Sequence, residues 1–91
     1  MNGRKPRSVR YSKKFLRLVK KLPQEIALQV REKEFIFRQD PFDPRLKTHK
    51  LHGKQREIWA FWANYSYRIT FIFLNEHEVL FLEIGPHDMY A

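Results

Sequence analysis

Arg68 is the only lysine or arginine in the last 35 positions, and it lies inside the apolar and aromatic run SYRITFIFL at 66–74. A guanidinium fixed on a rigid strand can grip a phosphate through two parallel hydrogen bonds. An ion pair with Glu57, Glu78 or Glu83 is the other reading of the same residue. Three histidines stand where they could join it. His49 and His52 lie in KTHKLHGK at 47–54, and His87 follows Gly85-Pro86. Two imidazoles and one arginine suffice to cleave RNA without a metal. One group takes the proton from the ribose 2′-OH, and the freed oxygen attacks the adjacent phosphate in line. A second group protonates the departing 5′ oxygen, and the arginine stabilises the charge on the pentacovalent transition state. A plainly solvated loop histidine is the competing account of His49 and His52.

Other chemistries fit less well. His49, His52 and His87 match no zinc-ligand spacing and have no obvious fourth ligand. There is no nucleophile elbow for Ser-His-Asp catalysis, and the 3 glycines are too scattered for a phosphate-binding loop. No cofactor or metal is expected. Trp59, Trp62 and Tyr65 could stack bases. Alternation sends Trp59 and Phe61 toward the core and leaves Trp62 on the opposite face, where Arg68 is also expected, so Trp62 is the candidate for contact with RNA or a protein partner.

These residues must be positioned by the elements around them. RSVRY at 7–11 alternates as a short strand. Ser12 is placed to cap a helix whose Phe15, Leu18, Val19 and Leu22 fall on one face, with Lys13, Lys14, Arg17, Lys20 and Lys21 on the other. Pro23 breaks that helix and suits the first turn of a second one, which runs to about Gln39 with Ile26, Val30 and Phe37 on one stripe. Asp40-Pro41 ends it. A long loop over 40–55 follows, then three strands at about 56–63, 66–74 and 78–84, joined by connections too short for crossover helices. The expectation is one α+β domain spanning 1–91, with element order β-α-α-β-β-β. Its sheet would be twisted and antiparallel, with both helices packed on one face and the other face partly open. Arg68 and Thr70 should share the open face, and Tyr67, Ile69, Phe71 and Phe73 should meet the helices.

Composition narrows the partners. The chain has 91 residues, no cysteine and a formal net charge of +8. The absence of cysteine excludes a disulfide framework and is compatible with a cytoplasmic setting. No apolar run reaches the length of a membrane span, and the basic start, Met1 to Ser8, does not read as a secretory signal. The charge is blocky: residues 1–21 carry nine Lys/Arg and residues 45–56 carry five, with no acid in either stretch. That distribution favours a polyanionic partner over a basic surface that serves only solubility. Within the second stretch, Lys47, Lys50, His52, Lys54 and Arg56 are the candidate RNA or ribosome contacts.

Four segments, HKLHG at 49–53, IW at 58–59, YRITF at 67–71 and IGPHDMY at 84–90, occur in the order and spacing found in RelE/ParE toxins. Roughly half the chain thus resembles that group, and most of all its RelE/StbE and YafQ-like mRNA interferases. The resemblance implies a toxin of a type II toxin–antitoxin system, an endoribonuclease that cuts mRNA on the ribosome. It implies that Arg68 contacts the scissile phosphate, that His87 is the general acid, that His49 is a further catalytic histidine, and that Tyr90 assists near the cleaved bond. Lys47, Lys50 and Lys54 lie where relatives contact RNA or the ribosome. The pattern departs at Trp62, near the place of a second strand histidine in YafQ-like members. The resemblance further implies a cognate antitoxin, and binding of operator DNA only through the complex with it. A ParE-type inhibitor of DNA gyrase, with the same fold and no nuclease activity, is the alternative.

Overall fold

Ser12 closes the first helix as its position suggests. The computed structural model, which describes residues 8–53 and 57–89, shows its Oγ accepting the Phe15 N–H at 2.9 Å and donating to the Leu82 carbonyl at 2.7 Å. One hydroxyl therefore caps α1 (Lys13–Lys20) and ties it to the last strand. Arg17 and Lys20 fall in the last turn of α1, where cations complement the helix dipole. Pro23 sits at the N-cap of α2 (Gln24–Gln39), which ends before Pro41 as the sequence requires.

The strands are β1 (Ser8–Tyr11), β2 (His49–Lys50), β3 (Trp59–Trp62), β4 (Tyr67–Phe73) and β5 (Glu78–Pro86), in the sheet order β1-β5-β4-β3-β2. Short connections make β3, β4 and β5 antiparallel neighbours, and β2 adds antiparallel to β3. The sheet is nevertheless mixed. β1 lies parallel to β5, with Ser8 opposite Glu78 and Tyr11 opposite Phe81. No hairpin joins these two strands, so no tight turn dictates their relative direction. Leu82 is left without a partner on β4, a bulge between the pairs Thr70–Glu83 and Phe71–Phe81.

Both helices cover one face. Phe37 of α2 is wholly buried, with ring centroids 4.9 Å from Phe61, 4.9 Å from Phe71 and 5.3 Å from Phe81. Phe15 of α1 meets Phe81 at 5.4 Å. Edge-on and offset contacts of this kind add to the gain from burial. The Tyr11 hydroxyl donates to Glu34, and Arg38 donates to both, which ties β1 to α2.

The described part of the expected loop over 40–55 contains ordered elements. Asp43 accepts the Arg45 N–H at 2.9 Å and starts a 3₁₀ turn, Pro44–Leu46, whose Leu46 is fully buried. Aspartate before proline is a helix-start pairing as well as a breaker. Lys47 follows in the left-handed region at φ 52°, and β2 then joins the sheet. Among the described residues no helix is long and apolar enough to cross a membrane.

Phe37→Ala removes the ring that three strands share. It should cost about 3–5 kcal/mol, seen as a large fall in the urea unfolding midpoint. A change below about 1 kcal/mol would contradict this account of the core.

Candidate functional site

The site is built on the face away from the helices. Pairing of β3 with β4 sets Trp62 directly opposite Arg68, and pairing of β4 with β5 sets Gly85, which has no side chain, on the other side of Arg68. Residues directly opposite share a face, so Trp62 and Arg68 lie together, as alternation predicted. The Arg68 guanidinium carbon is 4.2 Å from the centroid of the Trp62 ring system, in cation–π contact. Lys47 brings its ammonium to 5.4 Å from the same centroid.

The turn between β3 and β4 is held from several directions. Asn64 Oδ1 accepts the N–H groups of Ser66 and Tyr67, each at 2.8 Å, a side chain standing in for a backbone turn. The Asn64 amide donates to Gln29 at 2.8 Å, and Lys33 donates to the Ala63 carbonyl at 3.2 Å, so α2 braces the turn from below. Arg68 braces it from the other face. Its Nη1 donates to the carbonyls of Asn64 at 3.0 Å and Tyr65 at 2.8 Å, with a longer contact to Tyr67 at 3.4 Å.

No carboxylate answers the charge of Arg68 among the described residues. The three acids that could have paired with it are engaged elsewhere: Glu57 with Lys50 at 3.4 Å, Glu78 with Arg10 at 3.4 Å and Glu83 with Lys14 at 3.1 Å. Arg68 is 7% exposed. Burial pulls its pKa below the ordinary arginine value, partly offset by Tyr65, yet a guanidinium keeps its proton in any ordinary buffer. The result is a partly desolvated cation in contact with carbonyl dipoles and a π face. Its Nε and Nη2 donors hold no hydrogen bond within the described residues. Such a group favours an incoming anion.

His87 begins the short turn after β5, and its N–H donates to the Ser66 carbonyl at 2.8 Å, so it continues the ladder past Arg68. Its exposed ring lies 5.9 Å from that of Tyr65, and Tyr65 lies 5.8 Å from Trp62. Lys47, Trp62, Arg68, Tyr65 and His87 thus form one connected group. Alternation alone gave no reason to place Tyr65 in it. The signal is an aromatic inside the tight NYS connection at 64–66.

His49 shares this face, since it pairs with Ala60, and Ala60 and Trp62 point the same way. No contact links it to Arg68 or His87. Its Nδ1 lies 3.0 Å from the Lys47 carbonyl. A carbonyl only accepts, so Nδ1 carries the proton and a neutral ring leaves Nε2 as the free acceptor. Lys50 pairs with Trp59 and so projects to the other face, where it meets Glu57. His52 is exposed at a turn. Lys54, Arg56 and Tyr90 lie outside the described residues. The described residues contain no group of three His, Asp or Glu side chains able to hold a metal ion.

Solved structures share this architecture. The RelE–RelB complex from Pyrococcus horikoshii matches with 18% identity over 90% of this chain and 94% of that one, TM-score 0.72. The toxin–antitoxin complex RelBE2 from Mycobacterium tuberculosis matches with 24% identity over 89% and 98%, TM-score 0.73. YafQ from E. coli matches with 17% identity over 93% and 99%, TM-score 0.65. No protein-family model matches the chain, and no curated protein matches it in sequence.

Two outcomes follow from the geometry. Arg68→Ala should leave the Asn64 and Tyr65 carbonyls without their donor, at a cost of about 1–3 kcal/mol, and speed amide hydrogen exchange at Ser66 and Tyr67. Unchanged exchange there would contradict the brace. The second concerns the loop that carries Lys47. Hydrogen bonds from the Arg45 side chain and backbone hold the Asp43 carboxyl at about 2, below its ordinary 3.8. The folded value is the lower one, so this contact is fully stabilising above the ordinary value and is lost as pH falls through about 2. An NMR titration of the Asp43 carboxyl should give that midpoint, and an ordinary aspartate midpoint would contradict the pairing. Spanning 89–93% of this chain and 94–99% of theirs, these matches set the chain in the RelE/ParE-like toxin fold.

Proposed function

We propose that this chain is the toxin of a type II toxin–antitoxin pair, a metal-independent endoribonuclease that cleaves mRNA on the ribosome. The observation that carries the reading is the Arg68 guanidinium, unanswered by any carboxylate among the described residues and joined to His87 through the turn they share. A shared fold alone does not imply a shared activity, so the chemistry is argued from these side chains.

In the proposed reaction Arg68 binds a non-bridging phosphate oxygen through its remaining N–H groups. His49 Nε2 takes the proton from the ribose 2′-OH. The 2′ oxygen bonds to phosphorus as the bond to the 5′ oxygen of the next nucleotide breaks, and His87 gives that oxygen its proton. The products are a 2′,3′-cyclic phosphate and a 5′-hydroxyl. Tyr90 would assist near the cleaved bond. Lys47, at the Trp62 ring, would hold a neighbouring phosphate, and Lys50, His52, Lys54 and Arg56 would contact RNA or the ribosome farther out. His49 is the less secured member, because it approaches from β2 and must close on the phosphate when RNA is bound. Catalytic hydrogen bonds often tighten only in the complex.

The named structural neighbours include toxins in complex with antitoxins, and a cognate antitoxin is proposed here too. It would cover the basic surface and the open sheet face, and it would supply the contact to operator DNA. The pair would act in the cytoplasm.

The test is induced expression followed by mapping of cellular mRNA 5′ ends. Cuts inside coding regions, in frame with translation, are expected from the native chain. His87→Ala should lower cleavage by about 10²–10⁴-fold, the range for loss of a general acid, while leaving the unfolding midpoint unchanged. Intact transcripts with damaged chromosomes would replace this reading with gyrase inhibition.

A further inference from the structure

Tyr65 is the most exposed of the large apolar side chains described, at 73%. Its hydroxyl holds no hydrogen bond among the described residues, so neither core packing nor a polar contact accounts for its position. The backbone beneath it is unusually well held. Arg68 binds its carbonyl at 2.8 Å, Asn64 folds over the next two N–H groups, and α2 braces the preceding residues. Its ring lies between the indole of Trp62 at 5.8 Å, which it meets edge-on, and the imidazole of His87 at 5.9 Å. A rigid turn thus carries a solvent-facing aromatic ring in contact with the imidazole and with the indole on which the guanidinium lies.

We infer that Tyr65 is a nucleobase-stacking subsite: it holds the unpaired base of a nucleotide adjoining the phosphate bound at Arg68. The inference rests on the nuclease reading above and adds the group that orients the substrate. One residue supplies both contacts, because the Tyr65 carbonyl fixes Arg68 while the Tyr65 ring offers its face. A base stacked there would restrict rotation of its ribose. That restriction holds the 2′ oxygen in line with the leaving 5′ oxygen, the geometry that intramolecular attack requires. Every base has a π face, so the subsite takes any unpaired base and excludes a paired duplex. The Trp62 ring, occupied by Arg68 and Lys47, forms the inner wall.

The test pairs the residue with the base. Cleavage of a synthetic single-stranded mRNA, free and bound on ribosomes, is measured with all bases present and with each base flanking the cut replaced in turn by an abasic residue. Tyr65→Ala should lower kcat/KM roughly 5- to 100-fold on the complete mRNA. Tyr65→Phe and Tyr65→Trp should keep the native rate, and Tyr65→Leu, apolar but without a π face, should not. At one flanking position the abasic mRNA should lose the same factor with the native chain and lose nothing further with Tyr65→Ala. Equal sensitivity of the native chain and Tyr65→Ala to base removal at every position would overturn the stacking subsite while leaving the nuclease standing. Absence of cleavage by the native chain in both settings would overturn the nuclease reading, and this one with it. Matching thermal unfolding of the four variants separates stacking from a fold defect.

Discussion

A positive charge held between an indole face and two backbone carbonyls is the constraint on which the open side of this molecule depends. Arg68 stands 4.2 Å from Trp62 and spends one nitrogen on the turn that follows β3. Burying a cation without a carboxylate is costly, and the fold offsets that cost with dipoles and a π face rather than with a counter-charge. A carboxylate would have neutralised the group and closed it to an anion. Instead, Glu57, Glu78 and Glu83 each pair with another base. The same contacts that keep Arg68 charged also fix Tyr65, and the Ser66 carbonyl beside it fixes His87. Rigidity of the site and its electrostatics therefore have one origin.

The other face makes this arrangement possible. Phe37 reaches Phe61, Phe71 and Phe81 from a single helix and sets the plane of the three antiparallel strands. The register that buries Phe61 and Phe71 places Trp62 opposite Arg68 on the reverse side, since alternate residues point opposite ways. A slip of one residue would exchange the two faces. The aromatic core thus specifies the site by parity, without touching it.

Much of this was legible in the sequence because it follows from short-range rules. The Ser12 cap, the helix break at Pro23, the stop at Asp40-Pro41 and the faces of Trp62 and Arg68 all come from local chemistry and alternation. What was not legible depended on long-range partners. The parallel pairing of β1 with β5 carries no turn signal. The short strand at His49–Lys50 is too brief for a period of two to show, and it alone decides that His49 faces the site while Lys50 faces away. The role of Arg68 as a brace for its own turn was also hidden, because it requires the carbonyls of residues 64 and 65 to curl back over the strand. The residue type of Tyr65 suggests base stacking, but its place beside His87 was hidden, because alternation describes strands and Tyr65 stands in the turn between two of them.

The central claim is that the free edge of Arg68 is a phosphate receptor working beside His87. The most direct measurement is an NMR titration of the folded chain with a single-stranded RNA dinucleotide whose attacking 2′ oxygen is methylated, so that it binds without being cut. The account predicts that the Arg68 Nε–H and the His87 ring signals shift together and saturate at one concentration, and that added salt weakens both alike. Shifts confined to the lysines of α1, with Arg68 and His87 unmoved at saturation, would contradict it.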